Sequence, residues 1–145
     1  MSGSIRLVGT WRLVKFEARD SAGRQQYPLG EDVSGQLIYD DAGNMSAHVM
    51  RNDRRAFASD DPARGTDAEV RAAFDGRASY FGTYEIDEAS STVTHHVQGA
   101  WYPNWIGKDQ LRYFKFDGSC LVLSSPPILS DGESLEYVLI WERIA

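Results

Sequence analysis

The chain has 145 residues and a mass of 16.2 kDa, the size of one domain, and its 42% hydrophobic and 25% charged residues exclude a disordered chain. A net charge of −6 and a pI near 5.0 set aside nucleic-acid binding, because that class needs a basic surface. No run of about 20 apolar residues could span a bilayer, and the single Cys120 cannot form an intramolecular disulfide, so the expectation is a cytoplasmic protein, one domain over residues 1–145, with no membrane and no nucleic-acid partner.

Aromatic usage is high, at four Trp, seven Tyr and six Phe, and 13 Gly accompany only five Pro. Aromatics favour strands and Gly supplies turns, so the balance leans to an all-β chain. In chain order, strands are predicted at Leu7–Arg19, Gly35–Asp40 and Asn44–Arg51. A helix follows at Asp67–Arg77. Thr66 is its N-cap and Glu69 completes a capping box, with Val70, Ala73, Phe74 and Arg77 at helical spacing. Further strands are predicted at Tyr80–Asp87, Ser91–Gly99, Asp109–Phe116, Ser119–Ser125 and Ser134–Arg143.

The links alternate in length. Asp41-Ala42-Gly43, Glu88-Ala89-Ser90 and Asp117-Gly118 are tight, and the links between them are long. In an up-and-down arrangement, alternate links lie at opposite ends. One end is therefore closed by hairpins and the other is built of long loops, one carrying the helix. If the first and last strands pair, the Trp11 ring and the Arg143 guanidinium meet at the closed floor as a cation–π pair.

The stretches Leu7-Val8-Gly9-Thr10-Trp11-Arg12-Leu13-Val14, Gly35-Gln36-Leu37-Ile38-Tyr39, Tyr80-Phe81-Gly82-Thr83-Tyr84, Val93-Thr94-His95-His96-Val97, Pro103-Asn104-Trp105-Ile106-Gly107 and Trp141-Glu142-Arg143 stand in that order. Together they resemble the lipocalin-like domain proteins of bacteria and fungi. The resemblance covers nearly the whole chain. It implies an eight-stranded antiparallel up-and-down barrel of the lipocalin/calycin type, with an apolar cavity; the one short helix, read between the third and fourth strands rather than after the last, departs from secreted lipocalins, as does the lack of a disulfide. It carries over no single chemistry.

Hairpin registers assign faces. Pairing Phe116 with Ser119, Phe114 with Leu121 and Arg112 with Leu123 puts those apolar residues and Arg112 inward, with Tyr113, Lys115, Cys120 and Val122 outward. Leu37, Tyr39, Met45, Ala47 and Val49 share the inner face of the first hairpin. Pairing Ile86 with Val93 sets Tyr84 opposite His95, with His95 inward and His96 outward. Tyr137, Leu139, Trp141 and Arg143 share the inner face of the last strand. The first strand is ambiguous. Trp11 and Leu13 have one parity, Val14 and Phe16 the other. A bulge would reconcile them and decide whether Glu17 sees the pocket.

Tyr84, His95 and Arg112 thus form a polar cluster in an apolar cup, as small-ligand sites do. In the functional reading His95 is a general acid or base. In the structural one it is a neutral imidazole bonded to Tyr84 or a carbonyl. Arg112 either binds a ligand oxygen, or pairs with Glu17, or stacks on an aromatic wall. Adjacent His residues on a strand face opposite ways and no zinc spacing exists, so neither metal nor cofactor is expected. Asp40-Asp41 and Asp60-Asp61 read as turn residues. Trp101-Tyr102-Pro103-Asn104-Trp105 is too aromatic to stay bare. It lines the entrance or makes a homodimer contact, and the helix with Phe74 packs over the rim as a lid.

The leading expectation is a binder of a small hydrophobic or aromatic molecule. Tyr84, His95, Arg112 and Tyr137 anchor it, and Tyr39, Trp101, Asn104, Trp105 and Phe114 complete the site. The alternative is a cofactor-independent isomerase, cyclase or hydratase acting on a polyketide- or terpenoid-like metabolite. There His95 or Tyr84 moves a proton and Arg112 stabilises an oxyanion. An interaction domain is the third reading.

Overall fold

The computed structural model describes residues 6–145. Its strands are β1 (Gly9–Arg19), β2 (Gln25–Gln26), β3 (Val33–Tyr39), β4 (Asn44–Arg51), β5 (Arg77–Asp87), β6 (Thr92–Ala100), β7 (Asp109–Asp117), β8 (Cys120–Ser124), β9 (Ile128–Ser130) and β10 (Glu133–Arg143). The helix α1 (Asp67–Asp75) lies between β4 and β5. Every pairing is antiparallel. The order is β1-β3-β4-β5-β6-β7-β8-β10, and β10 pairs with β1, so eight strands close a barrel. The short strands β2 and β9, absent from the sequence expectation, extend β1 and β10 where they leave the barrel.

The tight links fall at one end and the long ones at the other, as the alternation requires. The observed β7–β8 register is Phe116 with Leu121 and Phe114 with Leu123, two residues from the predicted pairing. A two-residue slip preserves the face, so Phe114, Leu121 and Leu123 are buried as expected. The β5–β6 register places Tyr84 opposite His95 and Ile86 opposite Val93 as predicted. The helix is shorter than predicted. Its capping box forms, with Thr66 Oγ1 accepting from Glu69 N and Glu69 accepting from Thr66 N, but Gly76 ends the helix and Arg77 opens β5.

The floor is built on Gly9-Thr10-Trp11. Trp11 pairs with Arg143 across β1 and β10, and the guanidinium carbon lies 4.2 Å from the Trp11 ring centre. The same guanidinium donates to the carbonyls of Val8, at 2.9 Å, and Arg6. Gly9 has φ 146°, and any Cβ there would run into the Arg143 guanidinium and the Ala145 carbonyl. The glycine and the arginine therefore belong to one device: the chain can approach the guanidinium only where a side chain is missing.

β1 is irregular between Leu13 and Lys15, the bulge needed to reconcile its two parities. Val14 is left exposed, Phe16 turns inward beside Tyr137, and Glu17 faces away from the cavity. Glu17 is buried by β2, which raises its pKa. Hydrogen bonds from Gln25, Lys15 and Arg19 outweigh that and hold the carboxyl below its ordinary range. The core of Trp11, Leu13, Leu37, Met45, Val93, Leu121 and Trp141 fills the lower barrel.

Candidate functional site

Above that floor lies a cavity of about 520 Å³. The inner faces of the strands supply its walls through Phe16, Leu37, Ala47, Val49, Ala78, Leu123, Leu139 and Trp141. The long loops and α1 supply its mouth through Pro28, Leu29, Phe74, Trp101, Tyr102, Trp105, Ile128 and Leu129. Its polar lining comprises Asp75, Arg77, Tyr80, His95, Arg112, Ser130 and Tyr137, and the Arg77 Nε is buried without a hydrogen-bond partner.

His95 is 2% exposed, projecting inward from β6. Its Nε2 lies 2.6 Å from the Tyr39 hydroxyl and its Nδ1 2.6 Å from the Tyr80 hydroxyl. Burial disfavours the imidazolium, the Arg112 and His96 charges add to the effect, and the pKa falls to about 3. His95 is therefore neutral at physiological pH. Burial also raises the pKa of both tyrosines, most strongly for Tyr39, which lies entirely inside the core. His96, one residue on, points outward between Asp109 (2.7 Å) and Glu85 (3.3 Å), and the hydrogen bond to Asp109, then that to Glu85, raises its pKa.

Arg112 does not meet Glu17. Its guanidinium donates to Gln110 Oε1 at 2.9 Å and to the Leu111 carbonyl at 2.8 Å, and no carboxylate among the described residues pairs with it. Tyr84 does not meet His95 either. Its hydroxyl donates to the Asp40 carbonyl at 2.5 Å, while its ring packs edge-on against Tyr39 at 4.8 Å. Facing positions on paired strands shared a side of the barrel, but the long tyrosine side chain leans toward the closed end.

Of the residues expected to contact a ligand, His95, Trp101, Trp105, Arg112 and Tyr137 line the cavity, and Tyr39, Tyr84, Asn104 and Phe114 do not. Tyr39 sits behind His95 as its hydrogen-bond partner. Phe114 packs against Phe116 toward the floor, and Asn104 is exposed on a short helical turn. Tyr80 is the functional candidate the sequence reading missed. The signal was present, since Tyr80, Gly82 and Tyr84 share one strand parity. Gly82 makes the arrangement feasible. A bulge in the β5–β6 pairing brings the His96 carbonyl where a Cβ of residue 82 would lie, so only glycine fits.

The aromatic loop folds inward. Trp101 donates its indole N–H to the Phe74 carbonyl at 3.1 Å and packs on the Phe74 ring at 5.2 Å. Trp105 meets Trp101 at 5.2 Å and Tyr80 at 5.7 Å, both edge-on. A continuous file of rings thus runs from α1 through the mouth to His95. No group of three or more metal-ligating side chains occurs among the described residues. No helix among them is long and apolar enough to cross a membrane.

The 4'-hydroxy-3'-methoxypropiophenone carrier protein ppsC of Aspergillus oryzae is 32% identical over 107 residues, covering 69% of this chain and 96% of that protein. A solved structure of a REP1-NXSQ fatty acid transporter aligns over 97% of this chain and 98% of its own, at 13% identity and a TM-score of 0.43. The family profile of the lipocalin-like domain matches residues 8–144, which is the barrel from the Gly9-Thr10-Trp11 floor to the end of β10. The chain belongs to the lipocalin-like domain family.

Proposed function

We propose that this protein is a non-catalytic carrier of a small aromatic molecule, held inside the barrel. The observation that carries the reading is the open cavity itself. It has the size and make-up of a small-molecule site: largely aliphatic and aromatic walls, with a few polar groups converging at one place. A barrel packed solid by its own side chains would have no such room. The relative's printed name as a carrier of an aryl ketone fits the same chemistry. An aromatic ketone matches the apolar walls, the file of rings at the mouth and the polar cluster of Tyr80, His95 and Arg112.

The geometry gives no support to an enzyme. A general base works best with a pKa near the operating pH, and burial drives that of His95 to about 3. Both its nitrogens are already engaged by tyrosine hydroxyls. In this reading Trp101 and Trp105 serve the entrance to the cavity.

Titration of the protein with 4'-hydroxy-3'-methoxypropiophenone, followed by tryptophan fluorescence, tests the proposal. Saturable quenching with recovery of unchanged ligand is expected. Chemical conversion of the ligand, or no binding of it or of any molecule co-purifying in native mass spectrometry, would count against a carrier.

A further inference from the structure

The Tyr39–His95–Tyr80 chain holds three exchangeable protons in its neutral form and makes two hydrogen bonds. One proton is therefore left over, on one tyrosine or the other, and which one depends on the imidazole tautomer. With His95 protonated at Nε2, Tyr80 donates to Nδ1, and the imidazole donates to the Tyr39 oxygen. The spare proton is then on Tyr39, which is 1% exposed, does not line the cavity and has no other hydrogen-bond partner. A buried donor with nothing to bond is costly. With His95 protonated at Nδ1, Tyr39 donates to Nε2, and the imidazole donates to the Tyr80 oxygen. The spare proton is then on Tyr80, whose side chain lines the cavity. Only the second arrangement lets every member of this chain of three side chains be satisfied once a ligand is present.

We infer that the cavity reads its ligand as a hydrogen-bond acceptor: His95, held as the Nδ1–H tautomer, turns the Tyr80 hydroxyl proton into the cavity. The inference rests on the carrier reading for its ligand, and on the geometry alone for the direction of the hydrogen bond. It selects apolar molecules with carbonyl or ether oxygens over hydrocarbons of the same shape. His95 is a positioning residue here, acting on the ligand through Tyr80.

Two measurements on the full chain test it. Nitrogen-15 NMR of the ligand-free protein reads the tautomer directly. A pyrrole-type Nδ1 and a pyridine-type Nε2 at His95 are expected, and the reverse assignment overturns the inference, because Tyr80 would then spend its proton on the ring. The second compares propiophenone with n-propylbenzene, its analogue lacking the carbonyl oxygen. Wild-type protein should prefer the ketone by about tenfold, the worth of one hydrogen bond. Tyr80→Phe should erase that preference, the ketone losing about tenfold more affinity than propylbenzene. Equal losses for both molecules, or a preference that survives the substitution, overturn the inference. If neither probe nor 4'-hydroxy-3'-methoxypropiophenone binds wild-type protein, the carrier reading fails, and the tautomer alone decides the direction of the hydrogen bond.

Discussion

A neutral imidazole sealed between two tyrosines makes His95 a stability determinant as well as a wall of the site. Its folded pKa of about 3 lies below the ordinary 6.5. Between those values the unfolded chain binds a proton that the native state refuses, so stability rises with pH and is lost as pH falls from about 6.5 toward 3. His96 has the opposite sign. Its pKa is raised, so its contribution is complete below about 6.5 and is lost as pH rises through the folded value. Below pH 5.5 His96 is charged in both states and adds no slope. Urea unfolding of wild type and His95→Gln between pH 5.5 and 4 isolates the buried group. The wild type should lose up to about 1.4 kcal/mol more per pH unit than the variant. Parallel pH profiles would mean that His95 is protonated in the native state. The inward placement of His95 was readable from strand parity and a hairpin register. Its partners were not, because parity says which face a side chain occupies, not how far along the barrel it reaches. Tyr84 leans away to Asp40, and Tyr39 and Tyr80 close on the ring instead.

At the scale of elements, α1 differs from the strands in what holds it. No residue of the helix is buried, so it draws little from the hydrophobic core. Its anchors are the capping box, the Phe74–Trp101 contact and Glu69, which also accepts from the Ala58 backbone at 2.9 Å and ties down the preceding loop. Thr66→Ala removes one side of the cap, at a cost of about 1 kcal/mol. Because the helix is a satellite of the barrel, that cost should appear locally. Amide hydrogen exchange over residues 67–75 should quicken while β5 and β6 keep their protection and global unfolding hardly moves. A drop in global stability equal to the whole cap energy would mean that the helix unfolds only with the barrel. The start of the helix was legible, since capping is a local rule written in Thr66 and Glu69. Its end was misplaced by two residues, because Gly76 and the sheet register of Arg77 decide it together. The strands β2 and β9 were not foreseen. Each is too short to pattern by itself and exists through its partner, β1 or β10.

For the whole molecule, the question is whether the barrel is open because a ligand belongs there. Ala47 on β4, opposite Leu37 of β3, lies in the cavity wall. Ala47→Trp grows an indole into the open space rather than into packed core, so the overpacking penalty of about 1–3 kcal/mol should be avoided in large part. The variant is expected to keep the wild-type circular dichroism spectrum and to lose ligand-induced fluorescence quenching. Unaltered binding would place the ligand elsewhere on the protein. The sequence by itself determined the barrel: alternation sets two faces per strand, tight and long links alternate, and Gly9, Trp11 and Arg143 mark a floor. These are local or periodic properties, fixed by chain geometry and side-chain chemistry. Only the tertiary structure decided the site. The bulge in β1 turns Phe16 in and Glu17 out, the close approach at Gly82 lets β5 and β6 bend, and closure of β10 on β1 completes the ring around the cavity. Which polar groups then meet depends on strand tilt, bulges and side-chain reach in three dimensions, and none of these has a period along the chain.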